Sequence, residues 1–299
     1  MTLVSGRGVL EHAREARYAV GAFNADNMEV VQAIVEAAQE ERAPVILQVS
    51  VPTIRYAGLA MAAAMIKAAA AQVDIPVVLH LDHGDTFELN VGCLDEGFTS
   101  LMFDGSARPY EENVAETARI VARAHPAGVP VEAELGCVLQ AGATPAEVAA
   151  AMTDPDQAAD FVRRSGCDSL AVAVGSVHAM RESRAELDID RVRAISLRTG
   201  VPLVLHGGSG IREESLLAAI KEGVAKVNVG TWLKQGFVLG MSRAMAEAPG
   251  EADFRRYLAP ARDEVRERVR AKIRLLGSAG RADSGDGWRG RPAGEGNRR

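Results

Sequence analysis

Short apolar runs alternate with amphipathic segments along most of the chain. From Met28 to Arg42 apolar residues recur at helical spacing, Pro44 stops that helix, and the apolar run 45–50 follows. The same alternation predicts eight strands, at 18–24, 45–50, 76–82, 98–103, 130–135, 168–174, 201–206 and 224–229. Helices are predicted at 8–17, 28–42, 57–71, 86–96, 111–124, 155–164, 188–198 and 212–221.

This alternation implies a parallel sheet, because each strand is followed by a helix. Eight such units in about 240 residues have the size of a (β/α)8 barrel. An open doubly wound sheet is the alternative, but it normally carries a glycine fingerprint after its first strand, where this chain has Asn24-Ala-Asp-Asn. We therefore expect an α/β protein of the (β/α)8 TIM-barrel class, with extra C-terminal helices at 230–247 and 259–275.

The domain organisation follows from the same pattern. We expect one barrel domain over residues 1–276. The tail 277–299 is rich in Gly, Arg and Ser with few apolar residues, so we expect it to be disordered. Residues 136–153 form a longer connection that breaks the strand–helix rhythm, with a helical piece from Pro145 to Met152.

Composition narrows the class of partner and compartment. With 299 residues, 47% of them apolar, and a net charge of −6, the chain has a full core and no general attraction to nucleic acid or anionic membranes. No apolar run approaches the roughly 18 residues that span a bilayer. The three cysteines are widely spaced and none forms a CxxC pair, which favours a reducing cytoplasm over a disulfide framework.

Histidines and acids lie at or just after predicted strand ends: Asp82, His83, Glu134, His178 and His206. In a barrel these ends converge, and three imidazoles with an open fourth position are typical of a catalytic zinc site. The alternative is a set of unrelated polar loop residues. His80 is expected to support the site by hydrogen bonding.

Asp82 directly precedes a predicted ligand. Strand alternation therefore predicts that its side chain points to the opposite side of the strand from that of His83. We expect Asp82 to donate or accept a proton, or alternatively to orient a neighbouring imidazole.

Two glycine-containing turns precede predicted helices and are suited to bind phosphate. They are His206-Gly-Gly-Ser-Gly210 and Val227-Asn-Val-Gly-Thr231. Backbone amides at helix N-termini favour anions, and loops after the seventh and eighth strands are the usual phosphate site of barrels. Glycines that serve only a tight turn are the alternative.

The chain resembles the class II, metal-dependent ketose-bisphosphate aldolases, which include fructose- and tagatose-bisphosphate aldolases. The resemblance covers roughly residues 5–280 and rests on eight segments: 22–24 (AFN), 79–84 (LHLDHG), 102–106 (MFDGS), 131–136 (VEAELG), 168–175 (DSLAVAVG), 204–209 (VLHGGS), 226–231 (KVNVGT) and 255–262 (RRYLAPAR).

The resemblance implies roles for the metal site. His83, His178 and His206 would hold zinc, and Glu134 lies where the family has a carboxylate near the metal, a possible second metal site. Asp82 would protonate the aldehyde oxygen during carbon–carbon cleavage. Cleavage between C3 and C4 leaves an enediolate that a Lewis acid stabilises, so no lysine Schiff base is needed.

It also implies a phosphorylated substrate and a homodimer or homotetramer. Arg255 matches an arginine that reaches a neighbouring subunit's site and binds the distal phosphate, and a monovalent cation, Na⁺ or K⁺, would accompany the substrate. Asn24 and Ser50 would line the pocket. The positions that match the surroundings of dihydroxyacetone phosphate are Gly175, Gly207, Ser209, Asn228, Gly230 and Thr231.

Two departures from the family pattern concern substrate handling. The family's loop after the fifth strand has consecutive acidic residues, one of which shuttles a proton. Residues 136–147 are shorter and carry one carboxylate, Glu147, which would serve as proton acceptor or be only a helix N-terminal acid after Pro145. Ala179 stands where the family has glycine.

Three functions are therefore weighed. The leading one is a glycolytic, zinc-dependent aldolase that yields dihydroxyacetone phosphate and an aldehyde such as glyceraldehyde 3-phosphate. The second is a family member for an altered substrate in a specialised pathway, such as a deoxy-sugar phosphate or a phosphonate analogue. The third is a non-catalytic zinc- and phosphate-binding protein.

Overall fold

A computed structural model describes residues 3–140, 142–177 and 184–283. Eight parallel strands form one sheet in these residues, in the order β3-β2-β1-β8-β7-β6-β5-β4. The ring closes between β3 and β4 through a bridge of His80 to Ser100 and a hydrogen bond from Leu81 N to Ser100 O (3.1 Å). The predicted barrel is confirmed. The strands are β1 (Val20–Asn24), β2 (Val45–Ser50), β3 (Val77–Asp82), β4 (Leu101–Phe103), β5 (Val131–Leu135), β6 (Ser169–Val172), β7 (Leu203–Leu205) and β8 (Val224–Val229).

Helices surround the sheet. They are α1 (Gly6–Glu15), α2 (Met28–Glu40), α3 (Val51–Ala57), α4 (Leu59–Ala70), α5 (Phe87–Asp95), α6 (Tyr110–Ala124), α7 (Pro145–Ala150), α8 (Pro155–Ser165), α9 (Ile189–Thr199), α10 (Glu213–Lys221), α11 (Thr231–Glu247) and α12 (Arg255–Leu275), with a 3₁₀ turn at His125–Ala127. Buried Val, Ile, Leu and Ala side chains fill the space between strands and helices.

The amino-terminal end of the barrel is plugged. On α1, Val9 and Leu10 belong to a buried cluster that includes Val20, Ile46 and Val78 from three strands. Burial of such side chains contributes about 1.5–3 kcal/mol each. This packing closes the end opposite to the carboxyl ends of the strands.

The predicted helix 57–71 is observed as α4, and a further helix that was not predicted, α3, precedes it. Ser50 Oγ accepts a hydrogen bond from Thr53 N and begins α3 directly after β2. Gly58, with a φ of 83°, ends α3 and precedes α4. A left-handed backbone at that position interrupts an otherwise continuous helical pattern, and glycine adopts it without steric cost.

The start of the predicted tail packs on the barrel. Gly280 N donates to Glu41 O (2.8 Å) and Ala282 N donates to Arg42 O (2.8 Å). Ordered structure therefore continues to residue 283, beyond the predicted boundary at 276, and the expectation for 284–299 lies outside the described residues. Across the part of the chain that the structure covers, no helix combines the length and apolar character needed to cross a membrane.

Candidate active site

A cavity of about 150 Å³ opens at the carboxyl ends of the strands. Its walls come from the ends of β1, β2, β3 and β8, the loop after β7 and the first turn of α11. The lining residues are Asn24, Gln48, Asp82, His83, Gly207, Ser209, Asn228, Gly230, Thr231 and Lys234. Eight of the residues named from the sequence therefore line one pocket: Asn24, Asp82, His83, Gly207, Ser209, Asn228, Gly230 and Thr231.

Side-chain amides fix the carboxylate of Asp82. Asn24 Nδ2 donates to Oδ2 and Asn228 Nδ2 donates to Oδ1, both at 3.1 Å. Gln48 Nε2 donates in turn to Asn24 Oδ1 (2.9 Å). Gly230 permits this arrangement, because a Cβ there would lie 2.4 Å from Asn24 Oδ1. Each carboxylate oxygen of Asp82 thus accepts a hydrogen bond from a side-chain amide, and these two bonds fix the orientation of the carboxylate.

His83 faces the same pocket as Asp82, so the prediction that their side chains point to opposite sides is wrong. His83 follows the last residue of β3 and has a φ of 52°, outside the strand region. Strand alternation therefore no longer applies to it. The result brings His83 Nε2 to 4.0 Å from Asp82 Oδ1.

His83 and His206 present nitrogens to each other. Nε2 of His83 and Nδ1 of His206 are 3.0 Å apart. The opposite nitrogens lie beside carboxylates, with His83 Nδ1 2.6 Å from Asp104 Oδ2 and His206 Nε2 3.1 Å from Glu132 Oε1. A carboxylate favours a proton on the nitrogen next to it, so lone pairs face inward unless a proton or cation lies between them. This donor chemistry fits a divalent metal.

Glu134 adds a carboxylate oxygen to this cluster. Within the described residues, its buried Oε2 has no hydrogen-bond donor, and it lies 3.4 Å from His206 Nδ1 and 3.9 Å from His83 Nδ1. Burial, together with the Asp104 charge, raises the pKa of Glu134 to about 8. In the part of the chain that the structure describes, two groups have ligand atoms close enough to hold a metal: Asp82 with His83 and His206, and His83 with Asp104 and Glu134.

The charge balance of the cluster is set by its carboxylates. Burial disfavours the imidazolium of His83, but the negative charges of Asp82, Asp104 and Glu134 outweigh burial and raise its pKa to about 10. A metal must therefore displace a proton from this site at neutral pH. The third predicted ligand, His178, lies outside the described residues.

A second buried layer supports His206 from below. Lys226 Nζ lies 2.8 Å from Glu132 Oε2 and 3.2 Å from His80 Nε2, and His80 Nδ1 lies 2.8 Å from Ser100 Oγ. Burial and then the Lys226 charge lower the pKa of His80 well below its usual range, so His80 is neutral and accepts from Lys226. This geometry agrees with the role expected for His80, which is to support the site by hydrogen bonding.

The two glycine turns meet at the start of α11. Ser209 Oγ accepts a hydrogen bond from Trp232 N (3.2 Å), so the loop after β7 caps the helix that follows β8. Gly207, Gly230 and Thr231 lie around the same helix N-terminus. Backbone amides and hydroxyls gathered there are suited to bind an anion, and we therefore refer to this group as the anion cradle. We use that name for Gly207, Ser209, Gly230 and Thr231.

Four residues that were predicted to belong to the site do not line the cavity. Glu147 is exposed and forms a capping box with Thr144 at the start of α7. This is the helix N-terminal position that the sequence offered as the alternative to a proton acceptor. Arg255 is exposed and ion-paired with Asp253 (2.8 Å). Ser50 caps α3, at the level of Asp82 in the neighbouring strand, and Gly175 follows β6 with a φ of 116°.

Sequence reasoning did not single out Gln48, Asp104, Glu132 and Lys234. A period of two would have found Glu132. His80 and Asp82, Glu132 and Glu134, and Lys226 and Asn228 are each two residues apart in buried strands, so each pair faces the barrel interior. They form a lower layer of His80, Glu132 and Lys226 and an upper layer that reaches the pocket.

Fold and site together define a (β/α)8-barrel enzyme with a candidate metal site beside an anion cradle. The family described as class II fructose-bisphosphate aldolase matches residues 4–281. A Bacillus subtilis (strain 168) protein named "Probable fructose-bisphosphate aldolase" is 43% identical over 288 residues, covering 94% of this chain and 100% of that protein. A fructose-bisphosphate aldolase of Thermus caldophilus is 40% identical over 305 residues, again covering 94% and 100%.

A solved structure agrees with these relatives. The crystal structure of the YdjI aldolase from Escherichia coli K12 superposes with a TM-score of 0.82 and 36% identity, over 94% of this chain and 100% of that one. The chain belongs to the class II fructose-bisphosphate aldolase family, as the resemblance predicted. It is therefore a lyase of carbohydrate metabolism, from a family that depends on metal.

Proposed function

We propose that the chain is a zinc-dependent aldolase that cleaves, and in reverse forms, the C3–C4 bond of a phosphorylated ketose. The products of cleavage are dihydroxyacetone phosphate and an aldehyde such as glyceraldehyde 3-phosphate. One observation carries the proposal: a carboxylate held by two amides, Asp82, lies beside the facing nitrogens of His83 and His206 and in the same cavity as the anion cradle.

The donor set suits zinc, which takes three protein ligands and leaves one position open in catalytic sites. We assign His83 Nε2, His206 Nδ1 and, by the resemblance, His178 as those ligands. With zinc bound to these residues, the site would supply a Lewis acid for the ketose carbonyl and for the negative charge that cleavage develops. Asp104 and Glu134, on the other side of His83, are proposed as a second position for a metal. A monovalent cation, Na⁺ or K⁺, is proposed near the phosphate.

Asp82 transfers the proton at the C4 oxygen. In cleavage the C4 hydroxyl becomes an aldehyde, so its proton moves to Asp82, and in condensation Asp82 returns it to the aldehyde oxygen. For cleavage, this direction is the reverse of the one taken from the resemblance, in which Asp82 protonates the aldehyde oxygen. Asn24 and Asn228 keep the carboxylate in one orientation throughout, because each donates to a different oxygen.

The phosphate of the dihydroxyacetone portion binds the anion cradle, with Gly175, Asn24, Asn228 and Ser50 as further substrate-binding residues. Arg255 is exposed and, by the resemblance, would exchange its pairing with Asp253 for the distal phosphate in a neighbouring subunit's pocket, in a homodimer or homotetramer. We place the enzyme in the cytoplasm, in glycolysis.

An altered ketose phosphate is the second candidate substrate, and one observation favours it. Asp82 is the only carboxylate among the described residues that line the pocket. Glu147, the one acidic residue of the loop after β5, is bound to Thr144 instead. A substrate whose C3 proton comes from water or from the substrate's own groups would suit this pocket.

Product formation tests the proposal. The purified enzyme is supplied with fructose 1,6-bisphosphate, tagatose 1,6-bisphosphate or a ketose 1-phosphate, and dihydroxyacetone phosphate is measured with a coupled dehydrogenase. Release of dihydroxyacetone phosphate from fructose 1,6-bisphosphate is expected. Bound zinc without turnover of either bisphosphate would favour the altered substrate, and release from none of the ketose phosphates would contradict the proposal.

A further inference from the structure

We infer that Lys234 is a substrate-binding cation, which exchanges its salt bridge with Asp26 for the phosphate of the substrate. The inference rests on the proposed function, because it concerns the phosphate bound in the same pocket. It assigns to Lys234 the positive charge that the anion cradle itself lacks.

Lys234 lies one turn into α11. Its backbone N donates to Gly230 O (3.1 Å), and its side chain lines the cavity together with Gly230 and Thr231. Residues three apart on a helix share a face, so Lys234 and Thr231 lie on the same side of α11. Among the described residues that line the cavity, Lys234 is the only lysine or arginine.

Asp26 holds the lysine at the edge of the pocket. Lys234 Nζ lies 3.3 Å from Asp26 Oδ2, while Asp26 Oδ1 accepts a hydrogen bond of 2.5 Å from Thr53 Oγ1. Thr53 is buried and its Oγ1 also lies 2.9 Å from Ser50 Oγ. Asp26 is thus fixed to the end of β2, whereas the lysine has a flexible stem and its side chain is 59% exposed.

The interactions of Lys234 with Asp26 and with a bound phosphate differ in strength. An ion pair as exposed as this one is worth little, because water screens it. A phosphate dianion in the cradle offers more charge and three acceptor oxygens, so hydrogen bonds from an ammonium to it are stronger. Phosphate binding therefore draws Lys234 away from Asp26. Asp26 opposes that binding twice, since it competes for the lysine and repels the anion.

This arrangement predicts opposite effects for two substitutions. Binding of inorganic phosphate to the full-length protein is measured by calorimetry at constant ionic strength, for wild type, Lys234→Met, Lys234→Arg and Asp26→Asn. Lys234→Met should weaken binding about tenfold or more, and Lys234→Arg should retain most of it. Asp26→Asn should strengthen binding by roughly twofold to fivefold. Lys221→Met, which removes an exposed lysine that does not line the cavity, should have no effect.

The same variants are then assayed with the ketose phosphate that the enzyme turns over. Lys234→Met should raise KM by about the factor found for phosphate and change kcat little, because the lysine binds substrate rather than moving a proton. Thermal unfolding should be close to that of wild type, since the side chain is exposed.

Two outcomes would overturn the inference alone. One is wild-type phosphate binding that Lys234→Met leaves unchanged, and the other is weaker binding in Asp26→Asn. Wild-type protein that binds no phosphate would instead contradict the anion cradle of the proposed function, and this inference with it.

Discussion

Replacing Lys226 tests whether the lower layer of the barrel interior is held by charge. Lys226 and Glu132 are each 1% exposed, and Lys226 Nζ lies 2.8 and 3.1 Å from the two Glu132 oxygens. Lys226→Met keeps a similar length and shape but removes the cation. Glu132 is then left buried without a cation, with His206 Nε2 at 3.1 Å and His80 Nε2 at 3.9 Å.

The cost follows from burial. Breaking a buried ion pair by removing one partner typically costs about 3–5 kcal/mol, because the remaining charge has no compensation. For a chain of this size each kcal/mol lowers the melting temperature by about 2 °C, so a loss of roughly 6–10 °C is expected. The double variant Lys226→Met/Glu132→Gln removes both charges and keeps an acceptor for His206, so it should recover at least half of that loss.

Scanning calorimetry measures these differences in melting temperature. The metal-free proteins compared are wild type, Lys226→Met, Glu132→Gln and the double variant. Lys272→Met is a useful comparison, since Lys272, on α12, is also buried but its Nζ lies over the ring of Trp232, 5.2 Å from the ring centroid. A melting temperature of Lys226→Met equal to that of wild type would refute the reasoning. So would a double variant no more stable than Lys226→Met, because the two side chains would then not be coupled.

Three further predictions concern catalysis and metal binding. Asp82→Asn should lower kcat by about 10²–10⁴ with little change in KM in steady-state assays, and an active variant would remove Asp82 as the acid–base group. Glu147→Ala should leave the cleavage rate nearly unchanged, because Glu147 caps α7. The roughly hundredfold loss that is expected of an acid–base group would instead indicate that Glu147 reaches the pocket. Zinc affinity of the metal-free protein, measured by competition with a chelating dye, should rise between pH 6 and 8. His83, whose pKa of about 10 keeps its ring protonated over this range, must lose a proton when zinc binds, and that release costs more free energy at the lower pH. An affinity that falls as the pH rises would contradict this.

The barrel could be predicted from the sequence because its signal is repeated. Each strand is a short apolar run and each helix has a buried stripe, so one error, such as the break at Gly58, does not change the count of strands. Buried parallel strands read as nearly continuous apolar runs, which makes the exceptions visible. His80, Glu132 and Lys226 are such exceptions, and their common period with Asp82, Glu134 and Asn228 is a readable sign of polar layers inside the barrel.

The site was only partly predictable, and the reasons are local. The backbone at His83 leaves the strand region, which no spacing rule indicates, and it reverses the side on which that imidazole lies. The Lys234–Asp26 pair joins residues that are far apart in the chain, and neither belongs to the family segments. Glu147 illustrates a choice between two uses of one carboxylate, and Thr144 three residues earlier is the feature that favours capping.

We propose a requirement for metal, held by His83 and His206, in the cleavage of a phosphorylated ketose. Its most direct test is cleavage of fructose 1,6-bisphosphate by the enzyme as purified, after removal of metal with a chelator and dialysis, and after addition of one equivalent of zinc. Activity should be lost on metal removal and should return with about one zinc per chain. Activity that persists in fully metal-free protein would contradict it.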